Sequence, residues 1–269
     1  MTCDWDKDDF MSKWDATYVA TNLKPDATPY DGSFFIGLND ELQDKRPELK
    51  SFSYAIIAVA SCAVGRADVV GRFFDDITIN STPDESQKIF VRLREALTIV
   101  FPFLGLPTCI PGCYGMIGVL ERKGEAYGST ENLRKTTMDE ENVRKGRELR
   151  AKIYSGVGNS GIFSLMDKYF TDLFNASTNF TWGYLISKAN EEVFEMRQSH
   201  LVVAAAITAL GVTRQTRSHI KASIGIGNSV DAVKDMVSMV SKIAIWAGRP
   251  FSTPDVDALA EQIKQALAN

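Results

Sequence analysis

The chain holds two histidines, His200 and His219, on opposite sides of a glycine turn at Gly211. An imidazole with an ordinary pKa of about 6.5 can take and return a proton near neutral pH, so a close pair would suit general acid/base work. His200 falls on the stripe Val193, Met196, His200, Val203, Ile207, which is one apolar helix face. Burial there lowers imidazole basicity and keeps the ring neutral unless a partner compensates. Alone, such a histidine reads as a hydrogen-bonded core residue; His219 is what raises a functional reading. If the helices flanking residues 211–213 form a hairpin, the two rings sit at similar distances from the turn. At about 1.5 Å rise per residue their axial offset is only ~5 Å. They could then meet directly or through one water, as a functional pair or as a structural one.

The elements that must position this pair are helical. Almost no segment alternates with period two, so the expected fold class is all-α. The first 45 residues read as an irregular packing arm anchored by Phe10, Trp14, Phe34, Phe35 and Leu42. From Lys50 the run SFSYAIIAVASCAVG predicts a helix buried on almost every face, ended by Gly65. A short helix from about Asp68 follows, and then Thr82, Pro83 and Glu85 form a capping box before Ile89, Leu93, Leu97 and Val100. After Gly105 and Pro107 an apolar helix runs to about Arg122. Residues 123–138 are polar and read as a linker. A charged helix spans about 139–154, and Gly156, Gly158 and Gly161 interrupt the pattern without a preceding strand or a closing Gly-Lys-Ser/Thr, which argues against a nucleotide loop. Ile162, Leu165, Met166, Tyr169, Leu173 and Phe174 then recur at helical spacing, and Val256, Leu259, Ile263 and Leu267 form the closing stripe.

The chain also repeats itself. YAIIAVASCAVG (residues 54–65) aligns with HLVVAAAITALG (residues 200–211), and FLGLP (103–107) aligns with WAGRP (246–250). Tandem helical units are the economical inference, because each leaves an apolar face that its copy can cover. The predicted organisation is an arm over 1–49, a first unit over 50–122, a linker over 123–138 and a second unit over 139–269 that carries the histidines. Tyr54 and Phe73 stand in the first unit where His200 and His219 stand in the second, so that copy reads as structural.

Composition bounds the rest. With 269 residues, 45% of them hydrophobic, the chain has ample material for a core. A net charge of −4 from interspersed charges offers no basic stripe for nucleic acid. The N-terminus has no secretory pattern and the apolar runs are too short to span a bilayer, so the expectation is a cytoplasmic protein with no membrane partner. Cys3, Cys62, Cys109 and Cys113 include no CxxC pair and read as reduced thiols, with a Cys109–Cys113 redox pair as the sharper alternative.

The second half resembles the carboxymuconolactone decarboxylase family, whose superfamily includes alkylhydroperoxidase D. The matching residues are Trp182 and Gly183, the buried helix ending at Ala209, Leu210 and Gly211, the R-x-H-x-K run of Arg217, His219 and Lys221, the glycine turn before SVDAVKDMV, and the IAIWAGRP turn. The resemblance covers about 139–269, with a weaker copy over about 30–122, as in two-unit fungal members. Three departures matter: Tyr184 replaces a glutamate after the Trp-Gly, His200 replaces a second glutamate, and Val212 and Gln215 replace the two cysteines of the peroxidase branch. Thiol peroxidase chemistry is therefore not expected at this site.

What the resemblance implies is cofactor-independent decarboxylation, isomerisation or cyclisation of a hydrophobic or aromatic metabolite, polyketide- or terpene-derived, in secondary metabolism. The expected roles are His219 as general acid/base, His200 as its orienting partner and Tyr184 as hydroxyl donor to a developing oxyanion. Lys221 or Arg217 would hold a substrate carboxylate or carbonyl, and Trp182 and Trp246 would line an aromatic pocket. Both basic residues also read as solvated charges, and both tryptophans as packing. No metal is expected, because two histidines are a thin ligand set, and no haem, flavin or nicotinamide motif is present. The family assembles as rings, so a homo-oligomer, dimer or trimer, is expected. The alternative is a non-catalytic binding or assembly protein with structural histidines.

Overall fold

The computed structural model describes residues 9–158 and 160–268, and among these the secondary structure is helical with no strand. Helix α1 (Phe10–Trp14) runs on into a π-helical turn (Asp15–Val19). Helix α2 (Gly32–Lys45) corrects the expectation of an irregular arm. The Asp31 carboxylate accepts from the Phe34 amide at 3.1 Å, a side-chain N-cap, and Phe35, Leu38 and Leu42 then follow at helical spacing and are buried.

The centre is made by α3 (Ser53–Ala63) and α11 (Met196–Ala209), which pack on each other. Every residue of α3 is buried, as is every residue of α11 from Ser199 onward. Gly65 (φ 77°) follows the end of α3 and Gly211 (φ 69°) that of α11, both in the left-handed region that a side chain disfavours. Beyond these turns the same order recurs. Helices α4 (Val69–Ile77), α5 (Pro83–Leu104) and α6 (Leu106–Lys123) follow α3. The charged helix α7 (Glu140–Tyr154) leads through α8 (Ser160–Tyr169), α9 (Thr171–Ala176), a ten-residue π-helix (Ser177–Ile186) and α10 (Ser187–Glu192) to α11. Then come α12 (Thr213–Gly225), α13 (Val230–Trp246) and α14 (Val256–Ala268). The Thr82–Glu85 capping box is formed and starts α5.

The two long third helices cross over. Helix α5 packs on α3 and also on α11, while α13 packs on α11 and also on α3. One continuous core draws on both halves, so it does not divide at residues 123–138. That segment is itself fastened down. Arg134 pairs with the buried Glu95 at 2.6 Å and donates to the carbonyls of Tyr184 (3.0 Å) and Leu185 (2.8 Å).

Helix α7 and the π-helix touch backbone to backbone. A Cβ on Gly183 would lie 1.9 Å from the Asn142 carbonyl oxygen, and one on Gly146 would lie 2.2 Å from that of Thr178. Only glycine permits this approach, and it brings the end of α7 beside Trp182.

Candidate functional site

His200 on α11 is fully buried and His219 on α12 is 6% exposed. The hairpin at Gly211 brings their rings together, with centroids 5.2 Å apart and planes 22° from parallel. Trp182 stacks at 6.1 Å from His200, and Phe103 meets His219 edge-on at 6.0 Å. Phe103 lies on α5, so the first half supplies part of this wall.

Both ring nitrogens of His200 and Nδ1 of His219 are buried without a well-formed protein hydrogen bond, the His200 ring making only a weak approach to the His219 backbone. Leaving such a group unpaired costs about 1–3 kcal/mol, which a purely structural pair would avoid by bonding to itself or to backbone. Burial holds His200 well below its ordinary pKa, with a further contribution from His219, and burial alone lowers His219 to about 4. Both rings are therefore neutral at pH 7, each with one donor and one acceptor nitrogen.

The remaining nitrogen of the pair, His219 Nε2, shares a 3.1 Å hydrogen bond with the hydroxyl of Tyr154. Burial pushes that phenol far above its ordinary pKa, so it keeps its proton. Tyr154 ends α7, lies edge-on to Trp182 at 5.8 Å, and forms part of the wall of a cavity of about 580 Å³. Arg147, Arg150, Phe163, Phe174 and Thr178 also line this space, which is of ligand size. Neither histidine does; they stand behind Tyr154.

The other sequence-derived candidates are not brought to the pair. The Tyr184 hydroxyl donates to the Lys135 carbonyl and its ring stacks on Phe180 at 6.0 Å. Two residues beyond Trp182 is about half a helical turn, which sends it to the opposite side of its helix. Lys221 Nζ donates to the Val157 carbonyl at 3.0 Å, and Arg217 is exposed. Trp246 belongs to the other half, between Phe35 at 4.9 Å and the Arg66 guanidinium at 4.3 Å. Trp182 is in place, packed against His200 rather than lining the cavity.

Tyr154, Arg147 and Arg150 were missed by sequence reasoning. The signal was present: 147, 150 and 154 share one face of a helix, immediately before the glycine-broken segment. Helices α8 and α9 cover that face. The helical spacing expected over this stretch is met by two helices, but Ile162, Leu165, Tyr169 and Leu173 are exposed, while Phe163 and Phe174 turn toward Arg150 at 4.7 and 3.6 Å.

Cys62 and Cys109 are buried and Cys113 is half-buried, all three as free thiols; Cys3 lies outside the described residues. Contact with Cys109, together with burial, raises the Cys62 thiol, and burial raises Cys113 to about 11. Among the described residues no three His, Cys, Asp or Glu side chains are grouped to hold a metal ion, and no helix is long and apolar enough to cross a membrane. Comparison of the chain with protein-family models, with curated proteins and with solved structures finds no match in any of the three.

Proposed function

We propose that the chain is a cofactor-independent enzyme that rearranges or decarboxylates a small, largely apolar metabolite by proton transfer. Tyr154 meets the substrate, His219 is its proton partner, and His200 orders His219 from behind. The observation that carries this reading is the 3.1 Å hydrogen bond joining a cavity-lining phenol to a buried imidazole. The neutral imidazole can take the tyrosine proton as the phenol oxygen receives one from a substrate carbon or oxygen, and can return it as the hydroxyl gives one back at another position. A positioned acid/base of this kind contributes a factor of about 10²–10⁴, or ~3–5 kcal/mol of barrier. The resemblance of Trp182, Gly183 and the Arg217, His219, Lys221 run to the decarboxylase family supports the same class of chemistry, with the hydroxyl supplied by Tyr154 instead of Tyr184.

A second reading, a binding protein without catalysis, draws on the sealing of both histidines away from the cavity. Mass-spectrometric comparison of source-organism extracts incubated with the protein or with its Tyr154→Phe variant separates the two. The enzyme reading expects a metabolite consumed by the protein and spared by the variant. Equal consumption by the two proteins, or none by either, defeats it.

A further inference from the structure

The half-buried guanidinium of Arg150 lies near this cavity without a directly paired carboxylate, Asp167 acting on it only at longer range. It is stacked against Phe174 at 3.6 Å and Phe163 at 4.7 Å, and one of its nitrogens donates to Thr178 Oγ1 at 3.1 Å. Among the described residues no carboxylate comes within ion-pair distance of it, and burial lowers its pKa from the ordinary value. By contrast Arg66, Arg72 and Arg134 each pair directly with a carboxylate. A charge withdrawn from water without a partner is unfavourable, and a guanidinium has five donors of which Thr178 occupies one. Arg147 lines the same cavity with Arg150, and Asp167 is the one acidic side chain in the wall. Two cations against one anion leave a single positive charge, matched by a monoanion.

We infer that the cavity takes a monoanionic carboxylic acid with a flat apolar body, its carboxylate held by the fork of Arg150 and its body lying among Phe163, Phe174 and Tyr154. A planar two-oxygen anion fits a guanidinium fork bidentately, whereas a phosphate dianion would exceed the charge of the site. The inference rests on the catalytic reading of Tyr154 and extends it. An arginine that stabilises a carboxylate opposes its departure, because the charge leaves the carboxyl oxygens when carbon dioxide is lost. The seated carboxylate is therefore a handle. Its carbon–carbon bond stays intact while a proton leaves one substrate position and one returns at another through the Tyr154 hydroxyl, so product and substrate are isomers.

Isothermal titration calorimetry of the full chain with trans-cinnamate tests the seat without requiring turnover. Cinnamate should bind at least about tenfold more tightly than cinnamyl alcohol, and inorganic phosphate should not displace it; a charge-assisted bidentate contact supports that ratio. Arg150→Gln should weaken cinnamate about tenfold and leave the alcohol unaffected. Thr178→Val, which only frees the guanidinium to turn, should give a smaller loss if Arg150→Gln does not fold. Equal affinity for acid and alcohol, displacement by phosphate, or full affinity in Arg150→Gln or in Thr178→Val overturns the assignment. The extract experiment tests retention separately: a product of equal mass supports it, and a product lighter by carbon dioxide refutes it. If no metabolite is consumed, the catalytic reading falls and, with it, the isomer claim, while the calorimetry still decides the seat.

Discussion

The two halves of the molecule put the same helices to opposite ends. Around α3 and α4 the positions that correspond to the histidines are Tyr54 and Phe73, both buried, and Phe73 packs at 6.0 Å from Phe35. The cavity nearby is smaller, about 250 Å³, and both of its arginines are paired: Arg66 with Asp68 at 2.9 Å and Arg72 with Asp15 at 2.7 Å. Tyr30 likewise donates to Asp76 at 2.6 Å. Around α11 and α12 the corresponding region holds three imidazole nitrogens without well-formed hydrogen bonds and an arginine without a directly paired carboxylate. The imidazole nitrogens group at one place, although Trp246 Nε1, beside Phe35, is also buried without a hydrogen-bond partner. Such local departures are where function is to be sought, since stability alone would remove them.

The largest effect should come from making the second half like the first. A His200→Tyr, His219→Phe double variant copies Tyr54 and Phe73, and activity in the extract assay should fall by about 10²–10⁴. Acid stability should move the other way. Burial depresses the His219 pKa to about 4 from an unfolded value near 6.5, so the unfolded chain binds a proton that the folded one does not. Stability is therefore undiminished above about pH 6.5 and is lost as pH falls toward 4, by about 3 kcal/mol from His219, with His200 adding in the same direction. Urea titrations from pH 7 to pH 4 should show this loss in the native chain and a flatter profile in the double variant. Equal slopes would mean that the two rings are not buried neutral.

Tyr154→Phe probes the same contrast with one atom. It removes the link between the cavity and His219, and the rate should drop by about 10² with the fold retained, as measured by turnover and circular dichroism. Unchanged turnover would reduce the site to packing.

The sequence exposed the central helices because their residues are apolar on all sides, and it exposed the start of α5 because Thr82, Pro83 and Glu85 each satisfy a helix terminus. It located the histidine pair because a hairpin at Gly211 equalises their heights. Helix α2 was hidden: its cap at Asp31 is followed by Gly32 and Ser33, which read as loop. Tyr154 was hidden because α7 is charged along most of its length and its few apolar residues, among them the buried Ile153, do not single out the tyrosine. Tyr184 was misplaced because the motif position after Trp182 and Gly183 takes no account of helical phase: two residues along the helix is about half a turn, and its hydroxyl meets the Lys135 carbonyl instead. Trp246 was misplaced because the third helices cross between halves, a long-range arrangement that local pattern does not encode.

The smallest effect should belong to the tyrosine that the sequence favoured. The Tyr184 hydroxyl donates to the Lys135 carbonyl beside the Arg134–Glu95 ion pair, and so helps fasten residues 123–138 across the two halves. Tyr184→Phe should cost about 1 kcal/mol of stability, the usual net worth of one hydrogen bond, and leave turnover within about twofold of the native chain. Paired with Tyr154→Phe, it separates two phenols of one half by position alone. If Tyr184→Phe lowered turnover as far as Tyr154→Phe does, the active hydroxyl would lie on the π-helix, and the cavity beside α7 would lose its claim to the chemistry.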